Sequence, residues 1–192
     1  AAQTGPGTSD LVYHTINHSY PGLTLLHNSP RIIQIDNFLS TEECQRIISK
    51  ARPHLQPCLI KNDATGEVKA DQTRTSTDAN IPRAEIPSIV TKTCHLLNCS
   101  NSHLEIFQVI HYEPGQTFLP HTDGFDGPIN ACGFENSGRL VTLFCYLNDC
   151  DGGGETSFVH AGQCVVPQQG KAVLHFPNSI DLREDKSTEH ES

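Results

Sequence analysis

The order of apolar and polar positions divides the chain near residue 102. Before it, two stretches carry the helical period. Cys44, Ile47, Ile48 and Ala51 fall on one helical face, Ser40 precedes them, and Glu43 stands where a capping box needs it. Pro53 ends that pattern, because it restricts the preceding residue and offers no N–H. A second helix is predicted over residues 87–98, presenting Val90, Cys94 and Leu97. Residues 31–36 read as a short strand. Residues 1–29 are polar and broken by Gly and Pro, apart from one LTLL run, and read as an N-terminal arm. Residues 61–80 are polar, with Asp63, Gly66 and Asn80 as turn candidates.

After residue 102 the texture becomes that of short strands. β-formers cluster at 104–112, 118–121, 140–147, 158–166 and 171–176. Glu113-Pro-Gly-Gln116, Asp151-Gly-Gly-Gly154, Pro167 and Gly170 separate these runs with turn residues. Residues 124–138, with Gly127 and Gly133, read as a flexible insertion. Short strands joined by Gly and Pro turns predict a mainly β domain with supporting helices, a barrel or jelly roll, over a doubly wound sheet. No internal repeat is present.

Composition narrows the function classes. The chain has 192 residues, suiting one domain, with 36% hydrophobic and 18% charged residues, which is enough apolar content for a core. Thirteen Lys and Arg against twenty-two Asp and Glu give a formal charge of -9, so a broad nucleic-acid surface is disfavoured. No apolar run reaches the length of a transmembrane helix. Eight cysteines form no CxxC pair, so a cysteine zinc site is not indicated. Their even number fits disulfides in a secretory compartment such as the endoplasmic reticulum, and fits buried thiols equally. Asn17-His-Ser19 and Asn98-Cys-Ser100 match the short glycosylation pattern.

The sharpest chemical signal is His121-Thr-Asp123. In an extended segment, positions i and i+2 point the same way, so one imidazole and one carboxylate can approach one metal ion. His190 lies beyond several predicted strands and returns beside His121 if those strands fold back into a barrel. Two histidines and one carboxylate on one face form the triad that leaves the opposite positions of non-haem iron open. His95, His111, His160 and His175 read as structural histidines near apolar runs. Gly152-Gly-Gly154 lacks the Lys-Ser or Lys-Thr ending of a phosphate loop.

Longer segments carry a resemblance. Residues 108–123 (QVIHYEPGQTFLPHTD), 139–148 (RLVTLFCYLN), 153–156 (GGET), 167–176 (PQQGKAVLHF) and 185–190 (DKSTEH) occur in order, with Arg74-Thr-Ser76 upstream. This set resembles the prolyl 4-hydroxylase group of the iron(II)- and 2-oxoglutarate-dependent dioxygenases. The resemblance runs from about Ile32 to the end of the sequence. It implies a double-stranded β-helix (jelly roll) over residues 30–192 as a single dioxygenase domain, with 1–29 as an arm. It implies Fe(II) on His121, Asp123 and His190, and 2-oxoglutarate as co-substrate. Ascorbate would rescue oxidised iron. The implied reaction is hydroxylation of peptidyl proline, to 4-hydroxyproline, in a proline-containing peptide or protein. Asp123 favours hydroxylation over halogenation, because related halogenating enzymes carry a small residue there.

The same resemblance assigns further roles. Tyr112, Thr142 and Tyr146 are candidate co-substrate contacts; Thr142 and Tyr146 face one side of their strand. Their alternative is that the two tyrosines only cap the core. Arg74, Ser76 and Arg139 are candidate substrate contacts, since guanidinium can serve the carbonyls of an extended peptide. The loops 61–80 and 124–138 could close over such a peptide. Arg139 could instead hold a structural ion pair. Phe118 stands where relatives often carry Tyr, keeping the packing but not the phenolic hydrogen bond. The family also has a basic residue shortly after the distal histidine, holding the remote carboxylate of 2-oxoglutarate. The sequence stops at Ser192. The expectation is that this residue and the closing strand lie on chain beyond it. Two other readings stay open: the same chemistry on a free amino acid or small metabolite, and a non-catalytic, metal-stabilised binding domain.

Overall fold

The computed structural model describes residues 8–58, 60–61, 68–69, 73–125 and 138–192. Helix α1 (Thr8–Tyr13) leads into strands β1 (Leu23–Asn28) and β2 (Arg31–Ile35). Next come α2 (Thr41–Ala51), the short β3 (Gln56–Pro57), β4 (Ile60–Lys61) and β5 (Val68–Lys69), then β6 (Thr77–Ile81) and α3 (Pro87–Leu97). The remaining strands are β7 (Phe107–His111), β8 (Thr142–Cys145), β9 (Thr156–Phe158), β10 (Gln163–Val165), β11 (Ala172–His175) and β12 (His190–Glu191).

Local chemistry explains both long helices. At α2 the Glu43 N–H donates to the Ser40 hydroxyl, and the Ser40 N–H donates to the Glu43 carboxylate. Two N–H groups that the first turn cannot satisfy are thereby paired. Cys44, Ile47 and Ala51 form its buried face. α3 carries Pro87 in its first turn and ends at Asn98, whose φ of 49° is left-handed. Its buried face is Ile89, Val90, Thr93 and Leu96, so Cys94 and Leu97 of the predicted face are only half-buried.

The central sheet has the order β1-β2-β11-β8, and all its pairs are antiparallel. β2 and β11 are its inner strands. Their alternate residues serve two different cores. Ile33, Ile35, Ala172 and Leu174 pack with Phe38, Cys44, Ile47 and Leu96 on the helical side. Ile32 and Val173 pack with Phe158 and Val165 on the other, where the sheet β10-β9-β12 lies. A third sheet, β3-β6-β7, and the pair β4-β5 complete the strands. One glycine joins two layers. Gly170 has φ +83°, and a Cβ there would meet the Leu39 carbonyl oxygen at 2.3 Å. Its own carbonyl accepts from Leu39 N–H.

The expected double-stranded β-helix is not what the chain forms. Among the described residues no sheet closes or curls into a barrel. The strands that would have to continue a barrel are interrupted. Residues 118–121 were expected to be extended, but they make only isolated bridges, including His121 to His190. Phe118 and Ser192 exchange backbone hydrogen bonds, as do His121 and His190, yet Pro120 between them has no N–H to donate. The predicted strand over 158–166 is instead the hairpin β9–β10, turned by the Gly162 N–H to the Phe158 carbonyl. Asn80, a predicted turn residue, lies within β6. Asp63, Gly66, Gly127 and Gly133 lie outside the described residues, as does most of both predicted loops.

At the N-terminal side, β1 pairs along β2, and Val12 and Ile16 are buried in the main core. Seven cysteines (44, 58, 94, 99, 145, 150 and 164) are free thiols, and Cys132 lies outside the described residues. Among the described residues no helix is long and apolar enough to cross a membrane. Leu174, on β11, is fully buried in the main core, to which α2 contributes Cys44, Ile47 and Ala51. Leu174→Ala should destabilise the protein by about 2–5 kcal/mol, and Ser40→Ala by about 1 kcal/mol, in urea denaturation.

Candidate metal centre and active site

His121, Asp123 and His190 converge. One ligand atom from each lies within 4.8 Å of the others. The backbones of the two histidines are tied directly: His121 N–H donates to the His190 carbonyl at 3.0 Å, and His190 N–H donates back at 2.9 Å. Their rings meet at 4.4 Å between centroids. Second contacts set the tautomers. His121 Nδ1 lies 2.8 Å from the Leu119 carbonyl, and His190 Nδ1 lies 3.1 Å from the Thr188 carbonyl. A carbonyl only accepts, so each Nδ1 carries the proton and each Nε2 keeps its lone pair. Those Nε2 atoms lie 4.0 Å from Asp123 Oδ1 and 3.9 Å from Oδ2. That is too long for hydrogen bonds and leaves space between the three side chains for an ion, onto which they would have to close slightly.

The surroundings favour the ligating forms. Burial lowers the His190 pKa to about 4, outweighing the upward pull of Asp123. Burial also lowers the His121 pKa. Burial alone would raise that of Asp123, but His175, His190 and Arg139 together hold its carboxyl well below the ordinary carboxylate range. The site therefore presents two neutral imidazoles and one anion, the donor set that suits a divalent transition-metal ion.

Residues without obvious sequence signals hold the triad in place. Phe118 stacks on His121, with centroids 3.5 Å apart and planes 17° apart. Asn178 is fully buried, and its amide bridges the Phe125 N–H and carbonyl at 3.0 and 2.8 Å. Gly124 admits this clamp, since a Cβ there would meet Asn178 Oδ1 at 2.2 Å. Thr122 donates to Glu184. His175, read from the sequence as structural, has its Nε2 3.3 Å from Asp123 Oδ2. Its only advance signal was the period-two pattern of β11, which places Val173 and His175 on one face.

The other predicted site residues fall into two groups. Arg74, Ser76 and Tyr112 come together beside the triad. The Arg74 guanidinium lies 4.8 Å over the Phe118 ring, and Ser76 and Ser192 lie close enough to Tyr112 to lower its pKa. Arg74 Nε is buried with no hydrogen-bond partner among the described residues. Burial raises the Tyr112 pKa, opposed by Arg74. On the other side, Thr142 stands opposite His175 in the β8–β11 register, its buried hydroxyl likewise without a hydrogen-bond partner among the described residues. Tyr146 Oη contacts Thr156 Oγ1 at 2.9 Å and the Val165 carbonyl at 3.0 Å, and burial pushes its pKa up to about 12. Arg139 grips Glu105 through Nε and Nη2, at 2.9 and 3.3 Å. An open groove of about 1050 Å³ against α3 is lined by none of these residues.

Residues 107–191 match the 2OG-Fe(II) oxygenase superfamily. Two curated Arabidopsis thaliana relatives are each 32% identical: Probable prolyl 4-hydroxylase 3 over 184 residues and Prolyl 4-hydroxylase 1 over 180. Each alignment covers 84% of this chain and 63% of the relative. The chain is thus similar to the 2OG-Fe(II) oxygenase superfamily over residues 107–191 and, along most of its length, to proteins named as prolyl 4-hydroxylases.

Among solved structures, the chain is similar to the viral collagen prolyl hydroxylase vCPH of Paramecium Bursaria Chlorella virus-1, in its 2OG complex. The TM-score is 0.62 at 27% identity, over 84% of this chain and 86% of that one. The chain spans 63% of the length of the two curated relatives. The superfamily match contains His121, Asp123 and His190, whereas Arg74 and Ser76 lie before it.

The His190 shift has a pH consequence. Its folded pKa of about 4 lies below the ordinary 6.5, so the unfolded chain takes up the proton first as pH falls. Its contribution to stability is complete above pH 6.5 and is lost as pH falls towards 4. Denaturation of metal-stripped protein across that window should show stability falling, and His190→Asn should flatten the slope.

Proposed function

We propose that this chain binds Fe(II) through His121, Asp123 and His190 and uses 2-oxoglutarate to hydroxylate peptidyl proline, giving 4-hydroxyproline. The observation that carries this reading is the donor set: two imidazoles with free Nε2 lone pairs and one carboxylate, converging within 4.8 Å. It suits a divalent iron bound on one face, with the opposite positions left for other ligands. The relatives named as prolyl 4-hydroxylases support the choice of proline. When bound, iron and 2-oxoglutarate supply the oxidising power, and ascorbate restores iron that has become oxidised.

The side chains of the chain then bind and orient. Tyr112, Thr142 and Tyr146 contact the co-substrate through hydroxyls that can donate to a carboxylate, Tyr146 by giving up its bond to the Val165 carbonyl. The Thr142 hydroxyl, buried without a hydrogen-bond partner among the described residues, is the best placed of these for a new acceptor. Arg74 and Ser76 hold an extended peptide. Arg74 has a buried Nε available for a carbonyl and a guanidinium pinned over Phe118, which itself stacks on His121. Substrate-contacting and metal-binding groups are thus mechanically linked. Arg139 serves the peptide side from its pair with Glu105.

Two experiments test this. Full-length protein with Fe(II), 2-oxoglutarate, oxygen and a panel of proline-containing peptides should give a product heavier by one oxygen, placed on proline by tandem mass spectrometry. Reaction of free proline with every peptide inert would select the small-metabolite reading instead. Arg74→Ala should lower peptide turnover at least tenfold while Fe(II) affinity stays near that of the parent, because misplacing a substrate costs rate steeply. Equal loss of metal binding would remove Arg74 from the substrate side.

A further inference from the structure

β11 carries a polar side chain that the proposed reaction does not use. His175 is 0% exposed. It packs against the edges of Phe158 and Phe144, at centroid distances of 5.3 and 6.5 Å, and against His190 at 5.0 Å. Neither ring nitrogen has a hydrogen-bond partner among the described residues. Leaving a buried polar group unpaired costs about 1–3 kcal/mol, so its place needs an explanation. A phenylalanine would fill such a pocket without that cost.

Its position supplies the explanation. His175 Nε2 lies 3.3 Å from Asp123 Oδ2, close enough to interact but not aligned as a full hydrogen bond. β11 is an inner strand, paired on both sides, with His175 opposite Ile32 and Thr142. The ring is therefore anchored more firmly than Asp123, which lies in an irregular segment after Pro120. Of the two carboxylate oxygens, Oδ2 lies closest to His175, with His190 Nε2 farther from it at 3.9 Å, while Oδ1 faces His121 Nε2 at 4.0 Å.

We propose that His175 is a positioning residue for Asp123: its Nε2–H donates to Oδ2, so that Oδ1 alone is offered to the metal. A carboxylate left free can bind an ion through one oxygen or both. Engaging Oδ2 from a rigid strand holds it to one, which preserves a coordination position for other ligands. Partners of this kind orient metal-bound carboxylates and, when removed, typically cost 10–100-fold in affinity or activity. This inference rests on the reading of His121, Asp123 and His190 as metal ligands.

The test is titration of full-length protein with Co(II), read by its visible absorption, together with X-ray absorption of the cobalt-loaded protein. Circular dichroism checks folding. Asp123→Ala is the reference for the ligand reading and should abolish high-affinity binding. His175→Phe should weaken binding about tenfold or more and change the visible spectrum, with the number of bound imidazoles unchanged. His175→Gln, which keeps an N–H donor, should recover affinity towards the parent. Should His175→Phe fail to fold, His175→Leu takes its place. Parent-like affinity and spectrum in the apolar variant would show that His175 only packs, and loss of one imidazole would make it a ligand; either overturns the proposal. Parent-like binding by Asp123→Ala would defeat the ligand reading itself.

Discussion

The candidate site depends on one backbone pair. His121 and His190 exchange N–H···O=C hydrogen bonds, although they lie far apart along the chain. Such reciprocal pairing brings two extended segments side by side with little freedom in either. It also couples the site to the second core, because His190 pairs with Phe158 in the sheet β10-β9-β12. Phe118 and Ser192 make the same exchange nearby, so the ring that stacks on His121 is fixed by the same seam. Two imidazoles from separate segments thus become neighbours through main-chain geometry, before either side chain contributes.

Charge then has to be accommodated. An ionised carboxylate is costly to bury, and Asp123 is only 18% exposed at its side chain. Three histidines surround it, and Arg139 adds a longer-range attraction. Burial keeps His121 and His190 neutral, and their Nε2 lone pairs face Asp123, so these two rings do not themselves neutralise the anion. A divalent ion held by their Nε2 atoms and Asp123 would complete the balance in a way that protons do not at neutral pH.

The central sheet connects this chemistry to stability. Alternate residues of β11 serve opposite purposes: Ala172 and Leu174 face the helical core, while Val173 and His175 face the second core and the site. A register slip of one residue would exchange those faces. The burial of Leu174 in the main core therefore also keeps His175 beside Asp123. Gly170, pinned against Leu39 where no side chain fits, fixes where that strand begins.

What the sequence determined by itself was local. The capping box at Ser40 and Glu43, the Pro87–Leu97 helix, the alternation of residues 31–35 and the His121-Thr-Asp123 spacing each depend on residues a few positions apart. His190 was legible through the same short-range patterns, taken with their order along the chain. The rest required three dimensions. The period of a strand says which residues share a face, but not which partner that face meets. For that reason His175 passed as an ordinary core histidine, and residues 158–166 as one strand rather than two. Barrel closure fails on the same ground: short, turn-separated segments are legible locally, yet their pairing is decided by contacts between distant segments. Pro120, with no N–H to give, limits one of those contacts to isolated bridges. The sequence carries the ligand types and their local spacing; the tertiary structure alone decides which buried neighbours hold them, because packing and desolvation act between residues that the chain order does not place together.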